Sequence, residues 1–147
     1  MDIEQITFHE TKKLICEIIG YQPKEDFHLI PNDIFLIIQE SGVTLRNIPI
    51  RGWHTFEYGD NELSLEVILS ETKLNLTLTS PLIIITDDCF KEKKAYKISS
   101  KDLFEFSEDV YYELHGMDLL QPFDLIFIQP ETNTICMIHH DGFLFEY

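Results

Sequence analysis

Glu62-Leu63-Ser64-Leu65-Glu66-Val67-Ile68-Leu69-Ser70-Glu71-Thr72-Lys73-Leu74-Asn75-Leu76-Thr77-Leu78-Thr79 is the stretch whose reading decides the fold. Leu63, Leu65, Val67 and Leu69 alternate with Ser64, Glu66 and Ser70 around the apolar Ile68, and Leu74, Leu76 and Leu78 alternate with Asn75, Thr77 and Thr79. Period-2 alternation predicts strands with one wet face. The link Ser70-Glu71-Thr72-Lys73 is short enough to fold them into a hairpin. Beyond it, Pro81 introduces Leu82-Ile83-Ile84-Ile85, an unbroken apolar run suited to a strand covered on both faces.

Working outward, Thr7-Phe8-His9-Glu10 has the form of a capping box, with Leu14, Ile15, Ile18 and Ile19 at helical spacing before Gly20. A helix over residues 7–19 is expected. Ile34-Phe35-Leu36-Ile37-Ile38 fits a helix capped by Asn32 or Asp33, or a strand closed by the Glu40-Ser41-Gly42 turn. We read it as a strand, with Val43–Ile48 its hairpin partner and Trp53–Tyr58 the next strand. Gly59-Asp60-Asn61 then turns the chain into the leucine hairpin. Past Ile85, Asp87-Asp88-Cys89-Phe90 and Lys91-Glu92-Lys93-Lys94 read as a solvated turn before a short strand, Ala95–Ile98.

Ser99 or Ser100 caps a second helix, reaching about Leu114 and ended by His115-Gly116. At about 100° per residue, Leu103, Phe104, Ser107, Val110, Tyr111 and Leu114 form its core face. The opposite face holds Lys101, Asp102, Glu105, Phe106, Glu108, Asp109, Tyr112 and Glu113. Aromatic anchors ringed by polar groups are typical of protein interfaces, so Asp102, Glu105, Phe106, Asp109, Tyr112 and Glu113 are the candidate contact residues, with Asp87 and Asp88 added. Met117 to Pro122 is a connection. Phe123–Gln129, Thr134–His140 and Phe143–Tyr147 close the chain as a meander, with turns at Pro130-Glu131-Thr132-Asn133 and Asp141-Gly142. The expectation is an α+β fold: one domain over residues 1–147, a mostly antiparallel sheet of about six to eight strands, main helices over about residues 7–19 and 100–114, and the C-terminal β-meander.

Composition narrows the function. The 147 residues carry 26 acids against 11 lysines and arginines, a net charge of −15, with 44% hydrophobic content suited to a folded domain. Residues 1–98 hold 16 acids and 10 bases, whereas residues 99–147 hold 10 acids and the single base Lys101. Such a surface repels nucleic acid and membranes and speeds encounter with a basic partner. The basic cluster Lys91, Lys93, Lys94 and Lys97 is interrupted by Glu92 and has no stacking platform, so nucleic-acid binding is not expected. No apolar run is long enough for a membrane span, and the acidic Met1-Asp2-Ile3-Glu4 is unlike a signal peptide, which predicts a cytoplasmic chain. Cys16, Cys89 and Cys136, without C-x-x-C spacing, read as reduced structural thiols.

Catalytic chemistry is not evident. His139-His140-Asp141, with His115 and Cys136 as conceivable extra ligands, is the densest cluster. Neighbours on one strand point to opposite faces, so no shared metal ion, and no other cofactor, is expected. Asp87-Asp88 follows a buried strand without an identifiable catalytic partner, and Cys89 lacks the surroundings of a nucleophile elbow. The six glycines form no phosphate loop or dinucleotide fingerprint, and no H-E-x-x-H is present. The chain is therefore not expected to be an enzyme; the alternative is a small-ligand-binding or catalytic α+β domain with a site near His139 and Asp141 in the C-terminal hairpin.

With its acidic second helix and its ending Thr134-Ile135-Cys136-Met137-Ile138-His139-His140-Asp141-Gly142-Phe143-Leu144-Phe145-Glu146-Tyr147, this small, acidic α+β chain resembles the immunity proteins encoded beside bacterial polymorphic toxins, including those of contact-dependent growth inhibition. The likeness is one of general character across the chain and assigns no site residue. It implies a cytoplasmic inhibitor that binds one cognate toxin domain, often a basic nuclease, and blocks its active site or substrate surface.

Overall fold

The apolar runs near the C-terminus set the architecture. Leu125–Gln129 (β7), Thr134–His139 (β8) and Phe143–Glu146 (β9) form the expected antiparallel meander, with Leu125 opposite Ile138 and Ile138 opposite Leu144. Pro81–Ile85 (β5) pairs with β7, Lys94–Ser99 (β6) pairs with β5, and Glu4–Thr7 (β1) lies beyond β6. On the other side Arg46–Pro49 (β2) pairs with β9. The result is a seven-stranded antiparallel sheet in the order β1-β6-β5-β7-β8-β9-β2, and the fold is α+β. The computed structural model describes residues 1–54, 57–58, 61–120 and 124–147. A separate small ribbon joins Glu57–Tyr58 (β3) to Asn61–Glu62 (β4).

Both faces of the sheet are covered, which explains why its central strands are apolar throughout rather than alternating. Ile83, Ile85, Ile126, Ile128, Ile135 and Met137 point into one layer with Phe8, Ile15, Ile34 and Ile38. Leu82, Ile84, Leu125, Phe127, Cys136 and Ile138 point into the other, with Leu65, Ile68, Leu103, Phe106 and Tyr111. The first layer is roofed by Phe8–Ile19 (α1) and Pro31–Glu40 (α2). Thr7 caps α1 by accepting the Glu10 N–H at 3.1 Å, and Gly20 closes it at φ +65°, as the capping box and glycine foretell.

Several strand expectations are corrected. Ile34–Ile38 lies within α2: Pro31 occupies the first turn, where its missing N–H is harmless, and Ile34, Ile37 and Ile38 bury at helical spacing. Without that strand there is no 43–48 hairpin, and β2 pairs with β9 instead. Trp53 and His54 lie in a turn, the middle of the proposed 53–58 strand (residues 55–56) lies outside the described residues, and so do Gly59 and Asp60 of the proposed turn. Residues 87–94 are not simply a solvated turn, because Cys89–Glu92 forms a short helix (α4) closed by Lys93 at φ +53°, and Lys94 already belongs to β6. Residues 121–122 of the connection before the meander, and Phe123 of its first strand, also lie outside the described residues.

The leucine hairpin is corrected as well. Ser64 accepts the Val67 N–H at 3.2 Å and starts the helix Leu65–Leu69 (α3), whose Leu65, Ile68 and Leu69 are buried. The interruption of the alternation by Ile68 was the helical signal, since Leu65, Ile68 and Leu69 stand at i, i+3 and i+4. Residues 71–75 find partners in side chains instead of a ladder. Arg46 Nη2 donates to the Glu71 carbonyl (2.6 Å), the Lys73 N–H to Glu146 Oε2 (2.7 Å), and the Asn75 N–H to Gln129 Oε1 (2.9 Å), while Gln129 Nε2 donates to the Asn75 carbonyl (2.8 Å). Two buried polar side chains, Gln129 and Glu146, thus hold a non-strand segment against the sheet.

The second helix spans residues 100–115 as a composite: a 3₁₀ turn at Ser100–Asp102, an α turn at Leu103–Glu105, a π segment at Phe106–Tyr111, and an α turn at Tyr112–His115. Gly116, at φ +70°, ends it where expected. A π segment closes i→i+5 bonds and so carries an extra residue per turn, which resets the facing of everything after it.

Candidate functional site

That reset decides which of the expected contact residues meet solvent. Leu103, Phe106, Ser107 and Tyr111 are buried, whereas Leu114 is 67% exposed and Tyr112 56% exposed. Phe106 was expected outside and is fully buried, its ring 5.2 Å from Tyr96 and 6.1 Å from Tyr111. Uniform α spacing had placed Leu114 on the core face, which tilted the projected stripe away from Phe106; the π segment turns Leu114 out and lets Phe106, Ser107 and Tyr111 all face in. Phe106 is therefore removed from the contact set.

What remains outside is coherent. Glu105, Glu108, Asp109, Tyr112 and Glu113 are all exposed, on the side of the composite helix away from the buried Phe106, Ser107 and Tyr111. Among the described residues no lysine, arginine or histidine lies within ion-pair distance of Glu105, Glu108, Asp109 or Glu113. Asp102 differs, being largely covered and paired with Lys101 Nζ at 3.3 Å.

Asp87 and Asp88 part company although adjacent. Asp87 is exposed, and Asp88 is the centre of a hydrogen-bond hub. Its Oδ1 accepts the hydroxyls of Thr86 and Tyr111 (2.6 Å for the latter), its Oδ2 accepts that of Tyr96 (2.5 Å), and His115 Nε2 stands 3.4 Å from Oδ2. Partial burial pushes the Asp88 carboxyl up, but the Thr86, Tyr111 and Tyr96 hydroxyls, helped by His115, outweigh it and hold it below the ordinary aspartate value. Burial, then the bond to Asp88, pushes both phenols far up. The hub is thus an ionised carboxylate served by neutral donors, a fastening between the end of β5, β6 and the π segment. Burial also pushes the Cys89 thiol up, the opposite of nucleophile activation.

Sequence reasoning missed this hub. Tyr96 lies opposite Ile84 in the β5–β6 pairing, so the hairpin register was a signal that its ring stands near the Asp88 turn. Tyr111 and His115 join through the π segment, their ring centroids 4.3 Å apart and their planes tilted by 38°. No local pattern announces that step.

The C-terminal turn also departs from expectation. His139 ends β8 and is buried, and His140 lies in the turn beyond, where strand alternation no longer applies. The two imidazoles stack at 4.1 Å rather than diverging. Asp124, just before β7, accepts the His140 N–H at 2.9 Å and stands 3.1 Å from His140 Nδ1. His115, conceived as a further ligand, is committed to the Asp88 hub, and Cys136 is fully buried in the sheet.

No family model matches this chain, and no curated protein and no solved structure matches it. No helix among the described residues is long and apolar enough to cross a membrane.

Proposed function

We propose that this chain is an immunity protein that binds and neutralises a basic bacterial toxin domain, docking it on the outer stripe of the composite helix. The observation that carries the reading is the set of carboxylates Glu105, Glu108, Asp109 and Glu113, which have no internal cation partner among the described residues and stand beside two large exposed apolar side chains, Tyr112 and Leu114. A positively charged partner is steered by the carboxylates, and the tyrosine and leucine provide the desolvated contact that slows its departure. Asp102 lies at the start of this helix, the exposed Asp87 is a lesser candidate, and Asp88 supports the stripe from inside by fixing Tyr111. The reading takes the chain to be a non-enzymatic cytoplasmic inhibitor.

Co-production with a cognate toxin domain, sought first in the reading frame directly upstream, tests it. Cells making both proteins grow, and the E105K/D109K/E113K chain, produced to the same level, fails to protect them. Full protection by that triple variant removes the stripe from the interface.

A further inference from the structure

We propose that Asp124, His139 and His140 form a binding site for one transition-metal dication of the zinc class. One ligand atom from each residue lies within 4.8 Å of the others. Two imidazole nitrogens and a carboxylate oxygen are the donor set that Zn²⁺, Co²⁺ and Ni²⁺ take readily, whereas Mg²⁺ and Ca²⁺ favour oxygen alone.

Donors around a single tetrahedral zinc ion stand about 3.3 Å apart at ordinary bond lengths, so the cluster must draw in by something over an ångström. His140, with 43% of its side chain exposed, has room to make that movement. The other partners are held. His139 is packed in the sheet, with Phe145 6.0 Å from its ring, and the Leu125–Ile138 pairing brings Asp124 up beside it.

The turn itself is clamped. Trp53 Nε1 donates to the His140 carbonyl at 3.1 Å, and the Ile50 N–H donates to the Gly142 carbonyl at 2.7 Å. Gly142, at φ +89°, lies so close to the indole that a Cβ there would come within 2.6 Å of it. Two donors therefore sit on a fixed frame beside one adjustable arm, the arrangement a preformed site needs.

Asp141 stands beside both imidazoles. Its carboxylate oxygens stand 3.7 Å from His139 Nδ1 and 3.6 Å from His140 Nε2, and its N–H donates to His139 Nδ1 at 3.0 Å. Carboxylates placed beside metal-binding imidazoles orient the rings and raise their basicity. Ligation of His139 exchanges that one hydrogen bond, or the ring tautomer, for a metal bond. The surrounding negative charge raises the local concentration of any cation. Three protein donors leave the remaining coordination position to water or to a group on a partner.

The site is tested with the metal alone, so its outcome is separate from the docking reading. The untagged full chain, stripped with chelator, is titrated with Co²⁺ in a non-coordinating buffer and followed by visible absorption. The expected result is one Co²⁺ per chain with a d–d band, displaced by equimolar Zn²⁺ and unaffected by excess Mg²⁺. H140A and D124N, with native circular dichroism, bind at least about tenfold more weakly. Absence of a cobalt band in the native chain overturns the proposal. So does binding within about threefold of native in both variants, the signature of diffuse carboxylate attraction. Because His140 lies half in solvent, H140A keeps the test decisive even if a change at buried His139 unfolds the chain.

Discussion

Two populations of carboxylates occupy this molecule, and they lead different lives. Glu146 and Asp88 are drawn into the structure and supplied with donors: Glu146 accepts the Lys73 N–H and pairs with Arg46 Nη1 at 3.3 Å, and Asp88 gathers three hydroxyls. Glu105, Glu108, Asp109 and Glu113 project from the same composite helix that sends Tyr111 inward, and no cation of the described chain reaches them. A carboxylate that the fold requires is surrounded by donors, because an unpaired buried charge is expensive. Carboxylates lined up without counter-charge repel one another, and the fold derives nothing from them. On the proposed reading, the inner pair serves stability and the outer row serves encounter.

That contrast is most sharply broken at Glu146, whose side chain is only 3% exposed. Glu146→Ala strips the Lys73 N–H of its acceptor and vacates a buried site, and although Arg46, 45% exposed, keeps its hydration, the change should cost about 2 to 4 kcal/mol in denaturant unfolding. A loss as small as a surface change would mean that residues 71–75 do not depend on this carboxylate.

Asp88→Asn comes next, at about 1 to 3 kcal/mol, because two phenols and a threonine hydroxyl lose their charged acceptor. The pH dependence follows from its lowered folded value. A depressed carboxyl stabilises the fold fully above its unfolded value, near 3.8, and that contribution disappears as pH falls through the lower folded value. The stability gap between the native chain and D88N should therefore be widest at neutral pH and close in acid. A gap that stays constant between pH 6 and pH 2 would show that Asp88 acts only through shape.

The smallest effect on stability belongs to the outer row. E105K/D109K/E113K should shift the melting temperature by less than about 4 °C, upward if anything, since it relieves repulsion in a chain of net charge −15. Leu114→Ser should be similarly mild, given that Leu114 is 67% exposed. Marked destabilisation by either would mean that these side chains serve the fold after all.

The comparison also shows what a sequence can disclose. Elements defined by local rules were legible: the capped helix from Thr7 to Gly20, the strand at Leu82–Ile85, the meander with its Asp141-Gly142 turn, and the extent of residues 100–115. The α+β class follows from those. The leucine stretch was misread because its alternation fits a strand as well as a helix, and the choice rests on Gln129 and Glu146, more than fifty residues away, which supply partners for its backbone. The strand assigned to Ile34–Ile38 failed for a related reason, since β-branched residues follow burial as readily as they follow pleating.

The candidate stripe was legible in its carboxylates and Tyr112 and illegible at Phe106 and Leu114, whose facing depends on one π segment. His139 and His140 looked divergent under strand alternation because the end of β8 at His139 is set by its pairing with β9, which the local sequence does not display.

Binding affinity is the property through which the outer row would act. Titration calorimetry of the native chain and of E105K/D109K/E113K against the toxin domain found by co-production, at low and at physiological salt, reads the docking surface itself. The account predicts tight, salt-sensitive binding by the native chain and binding about a hundredfold weaker or more by the folded triple variant. Equal affinity of the two proteins, or native binding indifferent to salt, would contradict it.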